Sequence, residues 1–84
     1  MKAVTYTRRA SRTLKRLPAN VMRRIVKKVE QYADSPEELA SNVSQLRGVP
    51  AKRLRVGDWR VIFAETEAEV NVLDIGPRGS IYGP

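Results

Sequence analysis

Residues 53–63 read RLRVGDWRVIF, and this stretch decides the fold. The Gly57-Asp58 pair suits a two-residue hairpin, because glycine takes the positive φ at the first position of a type II′ turn. Counting outward from the turn pairs Val56 with Trp59, Arg55 with Arg60, Leu54 with Val61 and Arg53 with Ile62. Successive side chains point to opposite faces of a strand, so one face carries Leu54, Val56, Trp59, Val61 and Phe63. That face is apolar throughout and requires a second layer to cover it. The other face carries Arg53, Arg55 and Arg60. Like charges directly opposed on a sheet are destabilising, by roughly a few tenths of a kcal/mol or more. Two readings of the arginine face are open. Long side chains can splay into water, or the guanidinium forks can form an anion site, since they match phosphate oxygens.

Downstream, EVNVLDI (69–75) forms a third strand candidate after the polar stretch 65–68, and the chain ends DIGPRGSIYGP. If strand 69–75 runs antiparallel to 59–64, its C-terminal end returns beside Trp59 and Arg60. Gly76, Pro77 and Gly79 turn the chain there, leaving Arg78 and Tyr82 as its substantial polar side chains. Both then approach the arginine face, which favours the anion site. Tyr82 taken alone reads equally well as a packing residue.

Upstream, KAVTY (2–6) alternates as a strand, and Thr7 is a natural N-cap for a helix opening at Arg8. Ala10, Leu14 and Leu17 form the apolar stripe of that helix, and Pro18 ends it. From Ala19 to Ala33 the apolar residues Val21, Met22, Ile25, Val26, Val29, Tyr32 and Ala33 recur at spacings of three and four, the mark of an amphipathic helix. Asn20 is a candidate cap, and Asp34-Ser35-Pro36 stops the helix. Residues 34–46 are acidic and irregular, with a helical turn at EELA. LRGVP (46–50) then marks the switch to period two and the strands KRLRV (52–56) and WRVIFA (59–64). Two helices meeting near Pro18 suggest an αα-hairpin.

With 84 residues, one domain is expected, and 42% hydrophobic residues suffice for a globular fold. Sixteen Lys and Arg against nine Asp and Glu give a net charge of +7 and a pI near 10.4. That balance favours polyanionic partners. Residues 1–29 hold no acid. Arg8, Arg9, Arg12, Lys15, Arg16, Arg23, Arg24, Lys27 and Lys28 make the helix faces basic, either as a solvated surface or as a nucleic-acid contact. The absence of cysteine and histidine argues against disulfides and a zinc site, and any acid–base chemistry must do without imidazole. Neither a metal nor another cofactor is expected. No apolar run reaches the length of a membrane span, and MKAVTYTRRAS lacks the core of a signal peptide, so cytoplasmic residence without membrane association is expected.

The segments LRG (46–48), RLRVGDWRVIF (53–63) and VLDIGPRGSIY (72–82), behind two helices, resemble the RelE/ParE superfamily of toxins from toxin–antitoxin systems, with RelE as the closer branch. The resemblance implies an α+β fold: an N-terminal strand and a two-helix hairpin packed on a curved, mainly antiparallel sheet. It also implies a ribosome-dependent mRNA endoribonuclease, in which a ribose 2′-hydroxyl attacks the adjacent phosphate to leave a cyclic phosphate and a 5′-hydroxyl. The implied partners are a cognate antitoxin protein, the ribosome and mRNA. On that likeness Arg60 and Arg78 would clamp the scissile phosphate, Tyr82 would accept the 2′-hydroxyl proton, and Arg53 would stabilise the leaving oxygen. Arg55 and Lys52 fall at or beside basic positions that contact RNA, and the nine basic helix residues would face rRNA. Two positions depart from the pattern. Ala51 stands where a further lysine is frequent, and Pro77 where histidine or another polar residue is frequent; both bear on proton transfer more than on RNA binding. A gyrase inhibitor of ParE type, or an RNA-binding homologue without activity, is the alternative.

Overall fold

The computed structural model describes residues 1–79. The chain runs β1 (Ala3–Tyr6), α1 (Arg8–Arg16), α2 (Ala19–Asp34), a 3-10 segment (Pro36–Asn42), β2 (Val43–Gln45), β3 (Lys52–Val56), β4 (Trp59–Glu65) and β5 (Glu69–Pro77). One five-stranded sheet has the order β1-β5-β4-β3-β2. All neighbours are antiparallel except β1 and β5, which run parallel with Val4 beside Val70 and Tyr6 beside Val72.

Both helices cover a single face of the sheet. Ala10 of α1 and Ile25, Val29, Tyr32 and Ala33 of α2 close over Leu54, Val56, Val61, Phe63, Val70, Val72 and Ile75. Trp59, Leu14, Leu17 and Val21 flank this core. The Tyr32 and Phe63 rings pack with centroids 4.9 Å apart, tilted by 59°, a favourable edge-to-face arrangement. The α+β architecture and the apolar hairpin face are therefore as the sequence indicates.

Local chemistry fixes where the helices begin. The Thr7 hydroxyl accepts from Ala10 N at 3.1 Å, capping α1, and donates to the Leu73 carbonyl at 2.8 Å. One side chain thus joins the helix start to β5. Arg8 and Arg9 sit at the positive end of the helix dipole, an unfavourable place for cations. Asp74 offsets this through an ion pair, its Oδ2 lying 3.3 Å from Arg9 Nε. Helix α2 starts differently from expectation. Pro18 holds the cap position with extended backbone, and no side chain caps the helix. Asn20 lies one residue inside, because proline at position 18 already fixes the backbone for entry.

The region 34–46 also holds more order than its composition suggests. Pro36–Asn42 winds as 3-10 helix with a kink at Leu39, which is buried in the core. Val43–Gln45 then adds a short edge strand, pairing Val43 with Leu54, Ser44 with Arg53 and Gln45 with Lys52. An irregularity between Ile62 and Phe63 opposes Leu73 and Asp74 to a single position of β4, and such a bulge bends the sheet.

Candidate nucleic-acid interface

The β3–β4 ladder pairs Val56 with Trp59, Arg55 with Arg60, Leu54 with Val61 and Arg53 with Ile62, the register counted from the turn. Gly57 at the turn has φ 59°, a conformation that favours glycine. Arg53, Arg55 and Arg60 consequently share the sheet face turned away from the helices. With Ser41, Asn42, Val43 and Ser44 they line an open groove of about 250 Å³.

Arg60 is the most constrained of the three. Its Nη1 donates to the carbonyls of Gly57 and Trp59, each at 2.9 Å. The guanidinium is thereby held beside the turn, with Nε and Nη2 left to meet a ligand. Strand β5 brings in a fourth cation. Arg60 pairs with Gly76 and Trp59 with Pro77, and Arg78 N donates to the Asp58 carbonyl at 2.8 Å, which continues the ladder past the strand end. Arg78 thus follows directly on β5, its backbone beside the hairpin turn that Arg60 flanks. Among the described residues no carboxylate pairs with Arg53, Arg55, Arg60 or Arg78. Asp74, on the same face opposite Ile62, is engaged by Arg9. The result is a cluster of unneutralised guanidinium groups, which focuses positive potential on the groove.

The face is not purely polar, and here the sequence pattern misses a feature. Ile62 is fully buried on the arginine side, packed with Ala51, Leu46 and Leu73. The loop 46–51 folds back over it, with Leu46 N donating to the Ala51 carbonyl at 3.0 Å. This small second core supports Arg53, whose ladder partner is Ile62. It also gives Ala51 a packing role where the resemblance suggests a lysine. The signal was present, since Leu46, Ala51 and Ile62 are apolar, but only their tertiary placement joins them.

Lys52 does not belong to this face. It shares the helix side of β3 with Leu54, and its Nζ donates to Glu65 Oε1 at 3.0 Å. Glu65 also receives Lys2 Nζ at 2.5 Å and the Tyr32 hydroxyl at 2.6 Å. Burial alone would raise the Glu65 carboxyl, but the hydrogen bonds from Lys2, Tyr32 and Lys52 outweigh it and hold the group down at about 2. Burial, with the Glu65 hydrogen bond and charge, pushes the Tyr32 phenol well above its ordinary range. Lys52 is thus an ion-pair partner of Glu65, and strand alternation turns it away from Arg53.

The basic helix residues Arg8, Arg9, Arg12, Lys15, Arg16, Arg23, Arg24, Lys27 and Lys28 are all exposed. They lie on the helical layer, across the sheet from the arginine groove. Arg8, Arg12, Lys15 and Arg16 line a concavity of their own with Tyr6 and Ser11. Arg9 is tied to Asp74, and Arg24 reaches over the hairpin turn, where a Cβ on Gly57 would stand 2.5 Å from its Nη2. The sequence-predicted residues therefore divide between two surfaces. Tyr82 lies outside the described residues. Among those described, no group of three or more histidine, cysteine or acidic side chains is placed to hold a metal ion, and no helix is long and apolar enough to cross a membrane.

Fold and face together define a small basic α+β protein with an anion-receptive sheet. The family model for the ParE toxin of type II toxin–antitoxin systems, parDE, matches residues 4–82. The chain belongs to that toxin family, within the RelE/ParE superfamily. Similar solved structures include the archaeal RelE–RelB complex from Pyrococcus horikoshii, at 25% identity and TM-score 0.78, covering 94% of this chain and 97% of that one. The RelBE2 toxin–antitoxin complex from Mycobacterium tuberculosis aligns at 21% identity and TM-score 0.79, covering 92% and 91%. The chromosomal ParDE system from P. aeruginosa aligns at 17% and TM-score 0.68, covering 93% and 97%. Comparison with curated proteins gives no match.

Proposed function

We propose that this toxin is a ribosome-dependent mRNA endoribonuclease that inhibits translation in the cytoplasm, held in check by a cognate antitoxin. The observation that carries the reading is the unneutralised guanidinium face, with Arg55 opposite Arg60 and Arg53 in the same groove. Opposed arginines weaken a sheet, whereas a phosphodiester placed between them converts repulsion into charge-assisted hydrogen bonds.

In the proposed reaction Arg60 and Arg78 hold the scissile phosphate and stabilise the charge that builds on its oxygens. The 2′-hydroxyl oxygen forms a bond to phosphorus and gives its proton to Tyr82. The bond from phosphorus to the 5′-oxygen breaks, and Arg53 stabilises that oxygen until it takes a proton from water. The products are a cyclic phosphate and a 5′-hydroxyl. An ordinary phenol, with a pKa of about 10, is almost wholly protonated near neutrality, so Tyr82 acts in this scheme as the phenolate, the form that positive charge favours. The exposed basic helix layer is assigned to rRNA phosphates, and an acidic amphipathic antitoxin segment complements the same charge.

The test is induced expression followed by primer extension on cellular mRNA. Codon-phased cuts are expected from the wild type, with no cuts and no growth arrest from Arg60→Ala and reduced cutting from Tyr82→Phe. Undiminished arrest by Arg60→Ala would remove the phosphate-clamp assignment. A second reading, gyrase inhibition, draws support from the ParE family match. It predicts a DNA-damage response without mRNA cuts.

A further inference from the structure

We infer that Asn42 and Ser44 form a base-reading wall beside the arginine cluster and set the sequence preference of the bound RNA. This rests on the RNA reading above. The β2–β3 register places Ser44 directly across from Arg53. Asn42, the last residue of the 3-10 segment, lines the same groove as Arg55. The ladders set two rows on this face: Arg55, Arg60 and Gly76 in one, and Ser44, Arg53, Ile62 and Asp74 in the other.

The two sides of this groove differ in chemistry. The β3 and β4 positions supply guanidinium groups, which bind any phosphate irrespective of the attached base. Asn42, at the end of the 3-10 segment, and Ser44 of β2 supply a neutral amide and a hydroxyl, which do little for a phosphate's charge but match the donors and acceptors of a base edge. Phosphate contacts position a nucleic acid and base contacts specify it. Both kinds line one open groove of about 250 Å³. The wall groups are also available. The Asn42 carbonyl oxygen accepts only a long 3.4 Å bond from Ser41 Oγ, and among the described residues neither the Asn42 amide N–H nor the Ser44 hydroxyl bonds elsewhere.

Short edge strands serve this role well. Val43 packs inward against the core, strand alternation then turns Ser44 to the groove side, and Asn42 lines the groove from the end of the 3-10 segment. Neither side chain fills the core, so either can vary without disturbing the fold. Preference can thus change at the wall while the phosphate clamp stays constant.

The test is binding of single-stranded RNA pentanucleotides that differ in the central base, carrying a 2′-deoxy sugar there to block cleavage. Fluorescence anisotropy at low salt reads the affinities, and circular dichroism checks the fold of each variant. The wild type is expected to favour one base by roughly tenfold. Asn42→Ala should reduce that ratio to near unity while the affinity averaged over the panel changes little. Ser44→Ala should reduce it partially. Arg55→Ala should instead weaken every oligonucleotide together and leave the ratio intact. A wild-type ratio unchanged in both wall variants, or a wild type that binds all bases alike, overturns the inference. A wild type that binds none of the pentanucleotides, with or without the ribosome, removes the RNA reading itself.

Discussion

Arg55 and Arg60 stand directly opposite each other across the β3–β4 hairpin, on the face that the helices leave uncovered. Two like charges at a ladder position oppose folding, so the pair marks a place where stability and ligand binding conflict. Arg55→Thr, which keeps a strand-forming residue, should stabilise the free protein by about 0.5 kcal/mol. For a domain of this size that corresponds to a rise of about 2–4 °C in Tm. The same variant should bind RNA more weakly. Differential scanning calorimetry together with anisotropy checks both halves, and a fall in Tm would show that the opposed pair does not repel.

Neighbouring residues in β3 should give opposite phenotypes. Arg53→Ala is expected to weaken RNA binding and leave stability within about 0.5 kcal/mol. Lys52→Ala is expected to leave RNA binding unchanged but cost about 1–2 kcal/mol, through the lost charged hydrogen bond to Glu65. Urea denaturation alongside binding separates the two.

The Glu65 cluster sets the acid limit of stability. Its carboxyl lies at about 2 in the fold against an ordinary 4.5. Its contribution is therefore fully present above pH 4.5 and is lost as pH falls toward 2. Tyr32 has the opposite sign. Its raised phenol favours the neutral form, so that contribution is complete below pH 10 and disappears under more alkaline conditions. Glu65→Gln should destabilise by about 2 kcal/mol at neutral pH and flatten the acid limb between pH 4.5 and 2 in a series of urea melts.

At the hairpin tip, Gly57→Ala introduces two changes. The positive φ disfavours alanine by about 1 kcal/mol, and the new methyl group displaces the Arg24 guanidinium from its place over the turn. A shifted Arg60 side chain should follow, because its Nη1 depends on the Gly57 carbonyl. Chemical-shift changes confined to Arg24, Arg60 and the turn, with a reduced urea midpoint, are the expected result.

Salt dependence should count the groove cations. Single-stranded RNA releases about 0.7 counterion per neutralised phosphate, so three engaged arginines give a log–log slope near −2. Each single Arg→Ala change within the groove should lower the magnitude by about 0.7. A pentanucleotide slope unaffected by Arg53, Arg55 and Arg60 would place the RNA on the helical layer instead.

The hairpin register, the two helices and the side of the sheet that each arginine takes were legible in the sequence, because alternation and the Gly57-Asp58 turn leave one consistent solution. The edge strand β2 was not legible. VSQ carries too short a pattern, and its ordering comes from pairing with β3 rather than from its own propensity. The same omission hid Asn42 and Ser44 as groove residues. Ile62 was misplaced in importance for a related reason. Its burial depends on loop 46–51 returning over the far face, a long-range contact that periodicity does not encode. Lys52 belonged to a basic motif by proximity, but a one-residue phase difference put it with Glu65.

The parallel pairing of β1 with β5 joins Ala3 to Glu69 and Tyr6 to Val72, so the first strand finds its neighbour only in the last. A chain still emerging from its ribosome without residues 69–77 has no partner for β1 and leaves one edge of β4 bare. Contacts of such sequence separation form late. The consequence is temporal: a chain without β5 has no finished sheet, and the domain is complete only once that strand has joined β1 to β4.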